Sequence, residues 1–396
     1  MLNPDLSRLY PYPFERLAEL LGSVTPAALT PIPLSIGEPK HAPPAHVIQA
    51  LTEALSTLSV YPSTKGSPEL RDAIAQWATR RFGLQAESLS SARHVLPVNG
   101  TREAIFAAVQ VAADRREGGT VLLPNPFYQI YEGAALMAGL EPVYLPITAS
   151  GQPDFDTVTE AQWRRCQYLF LCTPGNPTGT PLTLDTLCRL IHLADTFDFW
   201  IGSDECYSEL YRDDPPLGLL EACAAMGRHD YRRCMVFHSL SKRSNLPGLR
   251  SGFVAGDADF MAAFLTYRTY HGCSMSLPVQ HASIAAWSDE THVATNRELY
   301  RRKFEDAKTI LHDVLPIHDS GYGFYLWVRT PVPCDVFAKG LYASQHVTVL
   351  PGQYLGRAVD GVNPGAGFVR MALVAEPAVC REALYRIRTY VETLPQ

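Results

Sequence analysis

The sequence lacks the marks of several large protein classes. Its nine cysteines are an odd number and none lies in a Cys-x-x-Cys pair, so they read as buried thiols of a reducing compartment, not as a disulfide frame or zinc site. No His-Glu-x-x-His occurs among the twelve histidines, and no metal is expected. Gly-x-Gly-x-x-Gly, Walker A and Gly-x-Ser-x-Gly are all missing, which removes the fingerprints of dinucleotide-binding, P-loop and α/β-hydrolase proteins. Positive charge is not in excess, with 34 Lys+Arg against 40 Asp+Glu and a net charge of −6, so no nucleic-acid partner is implied. No apolar run approaches a membrane span. The opening, Met1 to Phe14, has no basic segment followed by an apolar one, and a cytoplasmic location is expected.

What is present is a chain of 396 residues, 46% hydrophobic and 19% charged. Single cores stop growing near ~250–300 residues, so two domains are expected. The most informative stretch is Phe237-His238-Ser239-Leu240-Ser241-Lys242, continuing to Gly248-Leu249-Arg250-Ser251-Gly252. A lone lysine follows an apolar run among small hydroxyl and glycine residues, and an arginine suited to bidentate phosphate binding comes eight residues later. A desolvated amine beside an anion site suits Schiff-base chemistry. The plainer reading is a lysine capping a strand-to-helix turn.

Other stretches repeat this pattern of an apolar strand followed by a polar turn. Asn99-Gly100-Thr101-Arg102 follows Val95-Leu96-Pro97-Val98 and opens a helix, where free N–H groups and the helix dipole attract phosphate. Pro124-Asn125-Pro126-Phe127-Tyr128 follows Val121-Leu122-Leu123, and Thr173-Pro174-Gly175-Asn176-Pro177-Thr178-Gly179 follows Tyr168 to Cys172. Asp204 ends Phe199 to Ser203, with Tyr207 three residues on and Lys242 38 residues on. Apolar strands thus alternate with helical stretches from about residue 95 to 255, the pattern of an open, largely parallel sheet with its ligand at the carboxyl ends. Upstream, Gly37 in Leu34-Ser35-Ile36-Gly37-Glu38-Pro39 allows close backbone approach. Downstream, the spacing from Arg297 to Leu315 reads as a long exposed helix. Phe324 to Val328 and Val347 to Gly352 read as strands, and Arg370 lies in another, Gly367 to Leu373.

The lysine stretch, the Asn-Pro-Thr-Gly turn and Asp-Glu-x-Tyr together resemble the class I/II aminotransferases that use pyridoxal 5′-phosphate. Ser251 departs from the aliphatic or alanine usual after the arginine. The resemblance implies the α/β fold of fold-type-I transferases, a large domain with a mostly parallel sheet and a smaller α+β domain. The expected division is an arm and part of the small domain at 1–44, the cofactor domain at 45–284 and the small domain at 285–396. The resemblance implies that Lys242 carries the cofactor and moves the proton. It implies that Gly100, Thr101, Arg102 and Arg250 surround the phosphate, that Ser239 and Ser241 also bind the cofactor, and that Tyr128, or alternatively Phe127, stacks on the ring. Asn176 and Tyr207 would meet the phenolic oxygen and Asp204 the ring nitrogen. Gly37, Asn176 and Arg370 would face the substrate, with Arg370 on its α-carboxylate. Tyr61, in Tyr-x-x-x-x-Gly-x-x-x-Leu-Arg, would reach the phosphate of a partner subunit, which implies a homodimer.

The opening Asn3-Pro4-Asp5-Leu6-Ser7-Arg8-Leu9 with Leu34 to His41 is similar to the N-succinyldiaminopimelate aminotransferases. That implies glutamate as donor and N-succinyl-2-amino-6-oxopimelate as acceptor, in lysine biosynthesis. Alternatives are a general aspartate or aromatic aminotransferase, a carbon–sulfur β-lyase using the same cofactor, or a binding protein that retains the fold.

Overall fold

A computed structural model describes residues 2–394; the outermost expected domain positions, 1 and 395–396, lie outside the described residues. Seven strands form the central sheet in the order Val95–Val98, Gly252–Gly256, Cys234–Ser239, Trp200–Asp204, Cys166–Cys172, Thr120–Pro124, Glu141–Leu145. Six of them run in one direction, and only Gly252–Gly256 runs against them, antiparallel to both its neighbours. The inner strands are largely apolar, as helices cover both faces. Along them side chains alternate, so Leu169, Leu171, Ile201 and Val236 join one core while Tyr168, Phe170, Met235 and Phe237 join the other. Helices Pro68–Arg81, Leu184–Phe197 and Leu277–Trp287 close the first face; Thr101–Ala112, Ile130–Met137 and Ala258–His271 close the second. Each fully buried Leu or Phe in such layers contributes roughly 1.5–3 kcal/mol.

A second, smaller core forms around a three-stranded antiparallel sheet of Leu350–Pro351, Phe368–Ala372 and Tyr325–Arg329, backed by Cys334–Gln345 and Pro377–Val391. The N-terminal residues Ile32 and Leu34 are buried in it, because Ile32–Pro33 pairs in parallel with Val347–Thr348. The chain therefore crosses to this core before building the large sheet, then returns.

Two local expectations are corrected. The helix Thr291–Leu311 is not an exposed connector, since Tyr300, Lys303, Phe304, Ala307 and Ile310 are buried at helical spacing against the smaller core and the site; one charged residue sits on its inner face. Val347 to Gly352 is not one strand. It divides into Val347–Thr348 and Leu350–Pro351, which belong to different sheets.

Candidate active site

The carboxyl ends of the parallel strands meet one cavity of about 570 Å³. This is the edge where an open α/β sheet holds its ligand. Strand Cys234–Ser239 leads directly into the short helix Leu240–Arg243, whose start is fixed by Ser239 Oγ accepting from the Ser241 N–H at 3.0 Å. Lys242 thereby enters the cavity, and its Nζ donates to the Gly37 carbonyl at 2.5 Å. Burial lowers its pKa to about 8, with the nearby Arg370 and Arg250 adding to the effect and Cys206 and Glu38 opposing it. An amine so placed loses its proton near neutrality, as a nucleophile or base requires.

Asp204, at the end of the neighbouring strand, is only 5% exposed. It accepts from the Tyr131 hydroxyl at 2.7 Å and from the Cys206 N–H at 3.3 Å. Burial raises its pKa, which these hydrogen bonds and His238 partly offset. The result is a buried carboxylate without an ion-pair partner among the described residues, a site that favours a cationic N–H.

Gly100 adopts φ +94° before helix Thr101–Ala112, and a Cβ there would overlap the Arg250 guanidinium. Arg250 itself is held left-handed at φ +54°, its Nη1 donating to the Pro247 carbonyl at 3.0 Å. Helix N–H groups, Arg250 and the Ser239 and Ser241 hydroxyls thus form an anion cradle along one wall. Arg102, next in the helix, directs its guanidinium to the hydroxyls of Tyr128 at 2.9 Å and Tyr12 at 3.2 Å. Two of its five guanidinium N–H groups are engaged there, and to the cradle Arg102 offers its backbone N–H.

Arg370 Nη1 donates to Asn176 Oδ1 and its Nη2 to the Ser35 carbonyl, both at 3.0 Å. Its buried Nε has no partner, and its guanidinium lies 4.3 Å from the centre of the Tyr325 ring. Because Arg370 occupies the Asn176 oxygen, Asn176 has only its amide N–H groups left to give. Tyr207 OH lies 3.2 Å from Tyr325 OH. A Cβ on Gly37 would strike that same Tyr325 hydroxyl, so glycine is required there.

Lys242, Asp204, Asn176, Tyr207, Ser239, Ser241, Arg250, Thr101, Arg102, Tyr128, Gly37 and Arg370 all line this cavity, and Gly100 sits beneath Arg250. Phe127 does not; it is 1% exposed and stacks on Tyr144. Tyr61 is absent from the lining and fully exposed on its own chain. Sequence reasoning missed Tyr131, Cys206 and Tyr325, which hold Asp204 and Tyr207, and also Tyr12 and Phe14 of the N-terminal arm, which form part of the wall.

The profile of the family "Aminotransferase class I and II" matches residues 30–387. The chain belongs to the class I and II aminotransferases. It is therefore a pyridoxal-phosphate-dependent enzyme acting on amino and keto acids. It is 31% identical to an LL-diaminopimelate aminotransferase of Nitratidesulfovibrio vulgaris (strain DP4), over 98% of both chains. Among solved structures, an aminotransferase from Neisseria meningitidis Z2491 is 46% identical with a TM-score of 0.94, covering 98% of this chain and 99% of that one. A probable N-succinyldiaminopimelate aminotransferase from Thermus thermophilus is 26% identical with a TM-score of 0.85, covering 96% of this chain and 100% of that one. The cavity fits the cofactor on its own geometry: an unpaired buried carboxylate for a pyridinium, a glycine-floored cradle for a phosphate, and an amine near neutrality for an aldehyde.

Proposed function

We propose that this aminotransferase exchanges an amino group between glutamate or 2-oxoglutarate and N-succinyl-2-amino-6-oxopimelate, in the route to diaminopimelate and lysine. The observation that carries the substrate class is a third arginine on the cavity wall, beside Arg250 and Arg370. Arg102 is held by tyrosine hydroxyls and has no carboxylate partner among the described residues. The acceptor bears carboxylates beyond the one at its reacting carbon, and Arg370 can take only that first one. The similarity to the Thermus structure supports the same reading.

When bound, the cofactor supplies an aldehyde carbon for the amine and a pyridine ring that takes up the electron pair left when the substrate Cα–H bond breaks. Lys242 would meet the aldehyde and would carry the proton on Nζ, its lowered pKa matching the task. Asp204, fixed by Tyr131 and Cys206, keeps the ring nitrogen protonated. Arg250, Ser239, Ser241 and the N–H groups at Gly100 to Arg102 hold the phosphate, and Tyr128 covers the ring. Asn176 and Tyr207 orient the phenolic oxygen. Arg370 grips the α-carboxylate through the Nη N–H groups that Asn176 and Ser35 leave free. Tyr61 serves the neighbouring subunit of a homodimer, which its full exposure supports. The enzyme works in the cytoplasm, where its nine unpaired thiols stay reduced.

A second reading, transfer to and from LL-diaminopimelate itself, is favoured by the relative that is 31% identical. The two are separated by running the reaction backwards, with N-succinyl-LL-diaminopimelate and LL-diaminopimelate as competing donors to 2-oxoglutarate. A higher kcat/KM for the succinylated donor supports the proposal; preference for the free amine overturns it in favour of the second reading. Aspartate and phenylalanine in the same assay report a general aminotransferase, and pyruvate released from cystathionine without a keto acid reports a lyase.

A further inference from the structure

Behind the cavity lies a second buried lysine that the reaction does not use. Lys303 is 0% exposed, Asn296 2% and His41 6%, and the three form a continuous hydrogen-bonded chain. Lys303 Nζ donates to the Leu373 carbonyl at 3.0 Å and to His41 Nε2 at 2.6 Å, and it also lies 4.7 Å from the centre of the Tyr300 ring. An ammonium cannot accept, so Nε2 is the acceptor and the proton of the neutral imidazole is on Nδ1. Nδ1 then donates to Asn296 Oδ1 at 2.8 Å. The Asn296 amide, with its oxygen so engaged, donates to the carbonyls of Lys242 at 3.3 Å and Arg243 at 3.4 Å. Two of the three ammonium N–H groups, the imidazole Nδ1–H and both amide N–H groups meet acceptors, and the chain runs in one direction only.

The chain is tied to separate segments that line the site. His41 belongs to the loop whose Gly37 carbonyl receives the Lys242 amine. The same loop is bonded through Ser35 to Arg370, and through Leu34 and Lys40 to Ala372 and Val374 of the segment carrying Arg370. Asn296 caps the end of the four-residue helix that carries Lys242. Three polar groups have been buried where Met and two Leu would fill the space, and such exchanges are often neutral or stabilising. Specific geometry is what the polar chain adds.

We infer that Lys303, His41 and Asn296 are positioning residues of the transamination site, a buried relay that fixes the Gly37 loop, the strand of Arg370 and the helix of Lys242 in one arrangement. This rests on the reading of Lys242 as the reacting amine. The charges around the relay agree with it. Burial first and the Lys303 charge second push the His41 pKa down, against Asn296 and Glu376, and so keep the ring neutral. Burial lowers Lys303 to about 8, opposed by Cys380 and Glu376, leaving it an ammonium at neutral pH.

The test uses the cofactor-loaded enzyme with Lys303→Met, His41→Leu, His41→Gln and Asn296→Asp. Misplacing reacting groups by about an ångström costs up to about 100-fold in rate, so kcat with glutamate should fall about 10- to 100-fold in Lys303→Met, His41→Leu and Asn296→Asp, with KM changed less than about 3-fold. The pH midpoint of the bound cofactor's visible absorbance should move by about one unit in the same variants. A glutamine can accept from Lys303 and donate to Asn296, so His41→Gln should recover kcat to within about 3-fold of wild type. Nitrogen NMR of 15N-histidine protein without cofactor, with His41 assigned by its loss in His41→Gln, should show the Nδ1–H form at neutral pH. Unchanged kcat and absorbance midpoint in His41→Leu and Asn296→Asp, or a proton on Nε2, would overturn the relay. Should Lys303→Met not fold, the His41 pair still decides. Full activity in Lys242→Ala would instead remove the reading of Lys242, whatever the relay variants do.

Discussion

The two halves of the cavity are built by different means. The half that fits the cofactor hangs on ends of parallel strands: Asp204 ends one and is held locally by the Cys206 N–H, while Asn176 and Lys242 follow two others and are tied across the cavity to Arg370 and Gly37. The half that faces outward is assembled from distant pieces: the arm residues Tyr12 and Phe14, the Gly37 loop, Tyr325 and Arg370. Strand ends in a doubly covered sheet have little freedom, so chemistry common to the family sits there. Arm and loops are cheaper to alter, and there substrate choice can differ between relatives of one fold.

The sharpest way to break this contrast is at Lys242. Replacing it with alanine should lower transamination by at least about 10⁴-fold, because both the nucleophile and the proton carrier go; activity within tenfold of wild type would refute the assignment. Asp204→Asn comes next. Its side chain can no longer hold a protonated ring nitrogen, and loss of one such electrostatic contact costs about 10²–10³ in kcat. Stopped-flow half-reactions with glutamate measure both, and an Asp204→Asn enzyme of normal rate would mean that the buried carboxylate is only structural.

The same buried lysine should cost stability before the cofactor arrives. Its pKa in the fold, about 8, lies below the ordinary 10.5. Below pH 8 the fold holds the ammonium at a penalty; between about 8 and 10.5 the folded chain has lost the proton and the unfolded chain has not, so stability rises with pH across that window. At pH 7 the penalty is about 3 kcal/mol at most, from 1.36 kcal/mol per pKa unit. Cofactor-free Lys242→Met should therefore be more stable to urea than wild type at pH 7, with the gain shrinking by pH 10. Equal midpoints at both pH values would show that the amine is better solvated than its position implies.

The contrast between the two halves also explains what could be read from the chain alone. The strand-then-polar-turn pattern brought out Lys242, Asp204, Asn176 and the Gly100 turn, and the structure gathers all of them at one cavity, because short local spacing decides where a strand-end residue points. Tyr131 was hidden in a helix whose apolar neighbours Ala134, Ala135 and Leu136 read as core. Tyr325, Tyr12 and His41 reach the site region across 118 residues to Tyr207, 90 to Arg102 and 255 to Asn296 respectively. No local pattern encodes such contacts. Lys303 was misread for a related reason: a charged residue in an amphipathic helix looks solvent-facing until the acceptors Leu373 O and His41 are brought to it by other segments.

The smallest expected effect sharpens the comparison most, because it separates the halves within one enzyme. Tyr12→Phe removes one of two hydroxyls holding the Arg102 guanidinium and leaves the ring in the wall. Losing one hydrogen bond to a charged group is worth about 1.5–3 kcal/mol when buried, and less here because Arg102 is exposed. If the arm reads the far end of the acceptor, KM for N-succinyl-2-amino-6-oxopimelate should rise about 3- to 10-fold, with kcat and the glutamate half-reaction changed less than twofold. A matching loss with glutamate would mean that the arm supports the cofactor ring through Tyr128 instead. The division between a rigid cofactor wall and an adjustable substrate wall would then run elsewhere in the cavity.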